Sequence, residues 1–408
     1  MNARLFFWPV FAALLAATTL AGSELVASFL VPSWPARDIR PIAVTSTPEI
    51  TYNDWALRDR PRQFERPANV NFRSVLVGDS FLEWAFGGAP LSALVEERLT
   101  RAGQGDAEAI NFGVSATGPP QYYYRIRDVG LRLKPDVIVL TIYAGNDFVA
   151  RPYGSWLPQP IAELPLPSLL GAVAPRTTWL TVNRLGLSEF GRGNKGIERE
   201  FEDLNAWLDL PPAERLDRIS AHMQRYYFPK LDAATIREIL SRGDDRFWTA
   251  FVKRPADREF LAGWLLSGMI DWETGTWTMP TNAEEADRLN GTNMVDETLS
   301  WIVAAERLAR DNGIRLVVCL IPVGTVDPAY VAFWKPWSKY SSYALSADAR
   351  HRRLAVALRQ TGVPFFDLRD DLEGVPGTYR LTDGHWTERG NKLAADRIAR
   401  ELMRLRGN

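Results

Sequence analysis

A serine hydroxyl is a weak nucleophile until a base takes its proton and a further group holds that base in place. Ser80 follows the apolar run Val75-Leu76-Val77 through Gly78-Asp79, which reads as a buried strand ending in a turn. The chain has three histidines, His222, His351 and His385. Only His385 has a carboxylate beside it in loop-like sequence, within Thr382-Asp383-Gly384-His385-Trp386. His222 and His351 sit in polar, helix-like stretches and are expected to be solvated. Ser80, His385 and Asp383 are therefore the candidate nucleophile, base and orienting acid. That set suits acyl transfer through a covalent serine ester.

These residues need elements to carry them. Short apolar or β-branched runs predict strands at 74–77, 109–112, 136–142, 314–321 and 363–368. Between them, apolar residues recur at helical spacing. Leu91, Leu94, Val95 and Leu99 form one set, and Tyr122, Ile126, Val129 and Leu133 form another that Pro135 stops. Val295, Leu299 and Ile302 mark a helix ended by Gly313, and Leu354, Ala357 and Leu358 precede Gly362. Thr387 is a plausible N-cap for a last helix burying Ala395, Ile398, Leu402 and Leu405. Alternation of this kind predicts right-handed crossovers and a parallel α/β sheet with helices on both faces. Ser80, Gly113 and Asn146 each follow a predicted strand directly, so all three should arrive at the carboxyl edge of that sheet. A helix over 81–86 would bring the Ser80 N–H to the same place. Asp79 and Asp147 read as turn-stabilising acceptors.

Four short blocks in order resemble the SGNH (GDSL-type) hydrolase family: Gly78-Asp79-Ser80, Asn111-Phe112-Gly113, Gly145-Asn146-Asp147 and Asp383-Gly384-His385. The resemblance covers about 70–150 and 312–405. It implies a three-layer α/β/α sandwich of flavodoxin-like type and a Ser80, His385, Asp383 triad. It also implies an oxyanion hole made of the Ser80 and Gly113 N–H groups and the Asn146 amide. The family usually places its aspartate three residues before the histidine, and here the separation is two. Asp383-Gly384-His385-Trp386 is locally similar to the Asp-x-His-Trp signature of alginate-type O-acetyltransferases, although theirs precedes the serine. The order thus points to an SGNH domain, and the spelling to acetyl transfer on a glycan. An ester-bearing substrate, such as an acylated glycan, is the expected partner. The rival enzyme reading is an O-acetyltransferase, and a rival of another class is a silent glycan-binding or assembly protein.

The remaining chain sets limits. Among 408 residues, 48 Lys and Arg nearly balance 49 Asp and Glu, which argues against a nucleic-acid partner. The single cysteine, Cys319, lies in an apolar run and excludes intrachain disulfides. No Cys/His spacing suits a metal, and no cofactor is expected. Residues 1–31 are apolar enough for a signal peptide or an uncleaved membrane anchor, either of which places the rest outside the cytoplasm. The Pro- and Arg-rich segment 32–70 reads as a linker. The hydrolase domain is expected at 71–150 and 312–408, with 151–311 forming a helical insertion or cap and a return helix. Trp156, Trp179, Trp207, Trp248, Trp264, Trp272 and Trp277 fall in that insertion, as its core or as sugar-stacking surfaces at the site mouth.

Overall fold

The computed structural model describes residues 3–30, 52–85, 88–102, 106–115, 117–148, 206–252, 269–271, 273–275, 292–382 and 384–407, with isolated positions at 173–174, 176–177, 180, 266 and 285. The chain divides into two compact units, one of residues 1–62 with 151–194 and one of residues 63–150 with 195–408.

In the first unit, helix α1 (Ala3–Leu30) is long and apolar enough to cross a membrane, and Phe7, Trp8, Leu14 and Phe29 are exposed on it. Residues 52–59 form turns in which Trp55 and Leu57 are buried, where an open linker was expected. A linker does not bury apolar side chains; these two do.

The second unit holds a five-stranded parallel sheet in the order β2-β1-β3-β4-β5. Its strands are β1 (Val70–Gly78), β2 (Asp106–Gly113), β3 (Val137–Tyr143), β4 (Arg315–Ile321) and β5 (Phe365–Asp367). Each predicted strand exists. The first begins at Val70 rather than 74, and the last is shorter than 363–368 because β5 pairs only through three residues at the sheet edge. Apolar side chains on both faces explain the absence of alternation in the sequence. Phe72, Leu76, Val137, Val139, Val317 and Cys319 cluster with Leu91, Val95 and Leu99 of α3 (Leu91–Arg101) and with Ala395, Ile398 and Leu402 of α12 (Glu388–Gly407). Burial pushes the Cys319 thiol pKa well up, as befits an inert core residue.

The α2 helix (Ser80–Glu83) follows β1, and α4 (Pro119–Asp128) follows β2 and packs against β1. A 3₁₀ turn at Gly130–Leu133 carries the predicted apolar spacing on to Leu133. The described part of the insertion contributes α5 (Pro212–Tyr226), α6 (Ala233–Ser241) and α7 (Asp245–Val252). Helix α8 (Thr292–Asp311) returns to pack on α4 and β4. After β4 come α9 (Pro328–Trp334) and α10 (Ser338–Thr361), and α11 (Arg369–Leu372) follows β5. Gly313 and Gly362 have φ of +71° and +75°, the left-handed conformation that ends a helix at little cost for glycine. Thr387 caps α12, its hydroxyl accepting from Gly390 N–H at 3.3 Å.

Two histidines depart from expectation. His351 is 1 % exposed, and its Nε2 lies 2.8 Å from Asp367 Oδ2. His222 is buried beside Trp207 and Tyr227. The arginines around His351 suggest a wet surface, yet Ala347, His351, Leu354 and Leu358 share one buried stripe of α10. Helical spacing outranks sequence neighbours. Asp367 is pushed up by burial, but the hydrogen bond and charge of His351, with the Arg369 N–H and charge, hold its carboxyl below the usual range.

The sheet also buries an ion pair. Arg73 in β1 is fully buried, its Nε 2.7 Å from Glu108 Oε2 of β2, while its other nitrogens donate to the Phe64, Glu65 and Leu133 carbonyls. Removing one partner strands a desolvated charge. Glu108→Ala should therefore lose about 3 kcal/mol of unfolding free energy in a denaturant titration. A loss indistinguishable from zero would show that the carbonyls alone satisfy Arg73.

Candidate active site

The parallel sheet brings the carboxyl ends of β1, β2 and β3 to one edge, and three of the sequence candidates stand there. Ser80 begins α2 directly after β1, and its hydroxyl lies 2.8 Å from His385 Nε2. Ser80 is nine-tenths buried and His385 is half-buried. Asp79 caps α2, one carboxylate oxygen accepting from Phe81 N–H at 3.0 Å.

Gly113 ends β2. An added Cβ there would lie 2.4 Å from Leu82 Cβ and 2.6 Å from Glu83 N, so only glycine lets the β2 end approach the serine-bearing helix. Its N–H donates to Asn111 Oδ1 at 2.8 Å and is thus engaged in this state, where a donor aimed at the substrate was expected. Asn111 also donates from Nδ2 to Leu82 O at 2.9 Å, and Glu83 accepts from Ser115 N–H at 2.6 Å. These two side chains lace α2 to the β2 end. Sequence reasoning gave neither a role, since Asn111 read only as part of a block.

Asn146 follows β3 and donates from Nδ2 to Asp79 Oδ2 at 3.1 Å. Next to it, Asp147 accepts from Tyr143 N–H at 2.7 Å and from the Tyr122 hydroxyl at 2.8 Å. Both aspartates are buried, as turn acceptors with little access to water. Burial pushes the Asp79 carboxyl above its usual pKa, against the Phe81 N–H, the His385 charge and the Asn146 amide, which pull it down. Burial and then the Asp79 charge push Asp147 well up. Tyr122 is raised by burial and by the Asp147 charge beside it.

His385 is carried by a tight turn. Tyr379 and Trp386 form an antiparallel bridge, and Arg380 N–H donates to His385 O at 2.7 Å. Buried Asp327 anchors the base of that turn by accepting from the Gly377, Thr378 and Tyr379 N–H groups at 3.1, 2.8 and 3.0 Å. Gly384 has φ of +68°, a conformation that turns the chain back toward Ser80. Phe81 then serves as a wedge, its ring centroid 4.8 Å from His385, 4.7 Å from Trp386 and 4.4 Å from Tyr143. Asp383 lies outside the described residues. So do Trp156, Trp179, Trp264, Trp272 and Trp277, whereas Trp248 is buried and Trp207 half-buried in the helical region. Among the described residues, no group of three or more His, Cys, Asp and Glu side chains stands ready to hold a metal.

A serine hydroxyl on an imidazole, at the strand edge of a parallel α/β sheet, is an arrangement suited to acyl transfer through the serine. Residues 279–408 match the family model described as ALGX: SGNH hydrolase-like domain, acetyltransferase AlgX. That similarity spans about a third of the chain. The matched segment includes β4, β5 and His385 but stops short of Ser80, Gly113 and Asn146. No curated protein matches the chain. Among solved structures, a Bacteroides fragilis NCTC 9343 protein named for acylhydrolase activity is 11% identical, at a TM-score of 0.35 over 84% of this chain and 91% of that one. A GDSL-like lipase from Bacteroides thetaiotaomicron VPI-5482 is 10% identical, at a TM-score of 0.33 over 81% and 88%. Likenesses this distant carry no argument; the fold rests on the chain's own topology.

The close approach at Gly113 is open to test. Gly113→Ala should displace α2, cost about 1–3 kcal/mol of stability and misplace Ser80. Thermal unfolding measures the first effect. An alanine variant as stable as the parent would mean that α2 yields freely.

Proposed function

We propose that this protein is a serine acyl hydrolase acting on O-acyl groups, acetyl above all, of an extracytoplasmic carbohydrate. The observation that carries the reading is the 2.8 Å contact between Ser80 Oγ and His385 Nε2. In this mechanism His385 takes the Ser80 proton as the hydroxyl attacks the ester carbonyl, then returns it to the leaving alcohol. Asp383 orients the imidazole and stabilises its protonated form. The tetrahedral oxygen is met by the Ser80 N–H and the Asn146 amide, with the Gly113 N–H joining once it turns from Asn111. Water then releases the acyl group from Ser80.

The second reading is an O-acetyltransferase, in which a sugar hydroxyl replaces water in the last step. The description of the matching family model and the Asp383-Gly384-His385-Trp386 spelling favour it. In both readings α1 serves as signal peptide or membrane anchor and the domain works outside the cytoplasm. The length and apolarity of α1 support this placement.

Full-length protein in detergent, given an activated aryl acetate, should form an acyl-enzyme on Ser80 and turn over. Ser80→Ala should abolish this with folding intact, and Asp383→Asn should slow it by about 10⁴-fold. Full turnover by Ser80→Ala would end the serine mechanism. Adding a polysaccharide acceptor separates the two readings: faster loss of the acyl-enzyme with ester appearing on the glycan selects transfer, and unchanged hydrolysis selects the esterase.

A further inference from the structure

We infer that Asp79 is a positioning residue that sets which end of the Asn146 amide faces the reacting oxygen. This rests on the serine mechanism proposed above, in which Asn146 is an oxyanion donor. An asparagine amide is useful there only if its NH₂ points at the developing charge, since its carbonyl oxygen would repel it. Rotation by half a turn exchanges the two ends at no steric cost, so something must choose.

Among the described residues, the Asn146 side chain makes one hydrogen bond, from Nδ2 to Asp79 Oδ2 at 3.1 Å. Its Oδ1 is buried without a donor. The orientation therefore depends on a single hydrogen bond. The reverse orientation would set Oδ1 against the Asp79 carboxylate, two acceptors face to face. A carboxylate is the acceptor-only group that makes this choice unambiguous. It spends one proton of the NH₂ on Asp79 and leaves the other for the substrate oxygen.

Helix capping does not account for Asp79. A cap needs one oxygen, and serine or asparagine supplies it as well. Asp79 uses Oδ1 for the cap, on Phe81 N–H at 3.0 Å, and the second oxygen for Asn146. One buried carboxylate thus holds both the helix that starts with Ser80 and the amide across the site from it. A buried carboxylate is disfavoured on its own, so its presence here calls for a return that capping alone does not provide.

Asp79→Asn provides the test. The Phe81 N–H is fixed backbone and keeps the new residue's oxygen on the cap, so its NH₂ turns toward Asn146. Two NH₂ groups then oppose each other, and Asn146 rotates to present Oδ1 to the substrate. The rate of Ser80 modification by an alkyl fluorophosphonate, read by mass on the Ser80 peptide, should fall about 100-fold or more, the effect of losing an oxyanion donor. On the aryl acetate, kcat should fall likewise with KM little changed, because the lost interaction belongs to the developing charge. The melting temperature should stay near that of the parent. Asp79→Ser keeps the cap but frees Asn146 from its partner, so it should fold and show a smaller loss than Asp79→Asn. In an Asn146→Ala background, Asp79→Asn should add no further loss.

Losses that multiply in the double variant, or an Asp79→Asn protein labelled within a few-fold of the parent rate, would overturn the inference. Should Asp79→Asn fail to fold, the same comparison made with Asp79→Ser decides the matter. Failure of the parent's Ser80 to label at all would instead sink the serine mechanism, and with it the role given to Asn146.

Discussion

The hydrogen bond between Ser80 and His385 joins residues 305 positions apart. Each partner comes from a different region of the second unit, so the contact exists only if the sheet edge and the C-terminal turn are placed independently and meet. Two devices do the placing. On one side, Asp79, Asn111 and Glu83 tie the four-residue helix that begins with Ser80 to the ends of β2 and β3. On the other, Asp327 gathers three backbone N–H groups at the foot of the histidine turn. Phe81 packs against Tyr143 at the end of β3 and against His385 and Trp386 of the turn. A side chain directly after Ser80 thus sets how closely His385 can come.

Beneath Ser80 the protein accepts an electrostatic cost. Asp79 and Asp147 are buried near one another, and burial raises both carboxyl groups above their usual pKa. Each is offset by donors: a helix N–H and an amide for Asp79, a strand N–H and a phenol for Asp147.

The described part of the insertion reaches the site through aromatic packing. Phe247 of α7 stacks on Phe333 and lies 4.5 Å from the Trp337 ring and 6.1 Å from that of Trp334. The Trp334 indole N–H donates to Leu381 O at 2.9 Å, at the start of the segment leading to His385. Trp337 ties back to α6 through Ile239 O. The helices that break the strand rhythm in the sequence are therefore structural neighbours of the turn that carries His385, and a disturbance in α7 has a short path to it.

Much of this was readable in the amino-acid order. Apolar runs located all five strands, glycines at 313 and 362 ended their helices, and with three histidines in the chain His385 stood out as the candidate base. These are local matters, decided by side-chain periodicity and backbone preference within a few residues. The pairing of Asp79 with Asn146, the capture of the Gly113 N–H by Asn111 and the burial of His351 against Asp367 were not readable. They depend on which strand ends become neighbours and which helical stripe turns inward, and local preference carries no information on either. The sequence alone determined the chemical groups available and the elements bearing them. Tertiary structure decided which group faces which, because hydrogen bonds form only across distances that the order β2-β1-β3-β4-β5 creates.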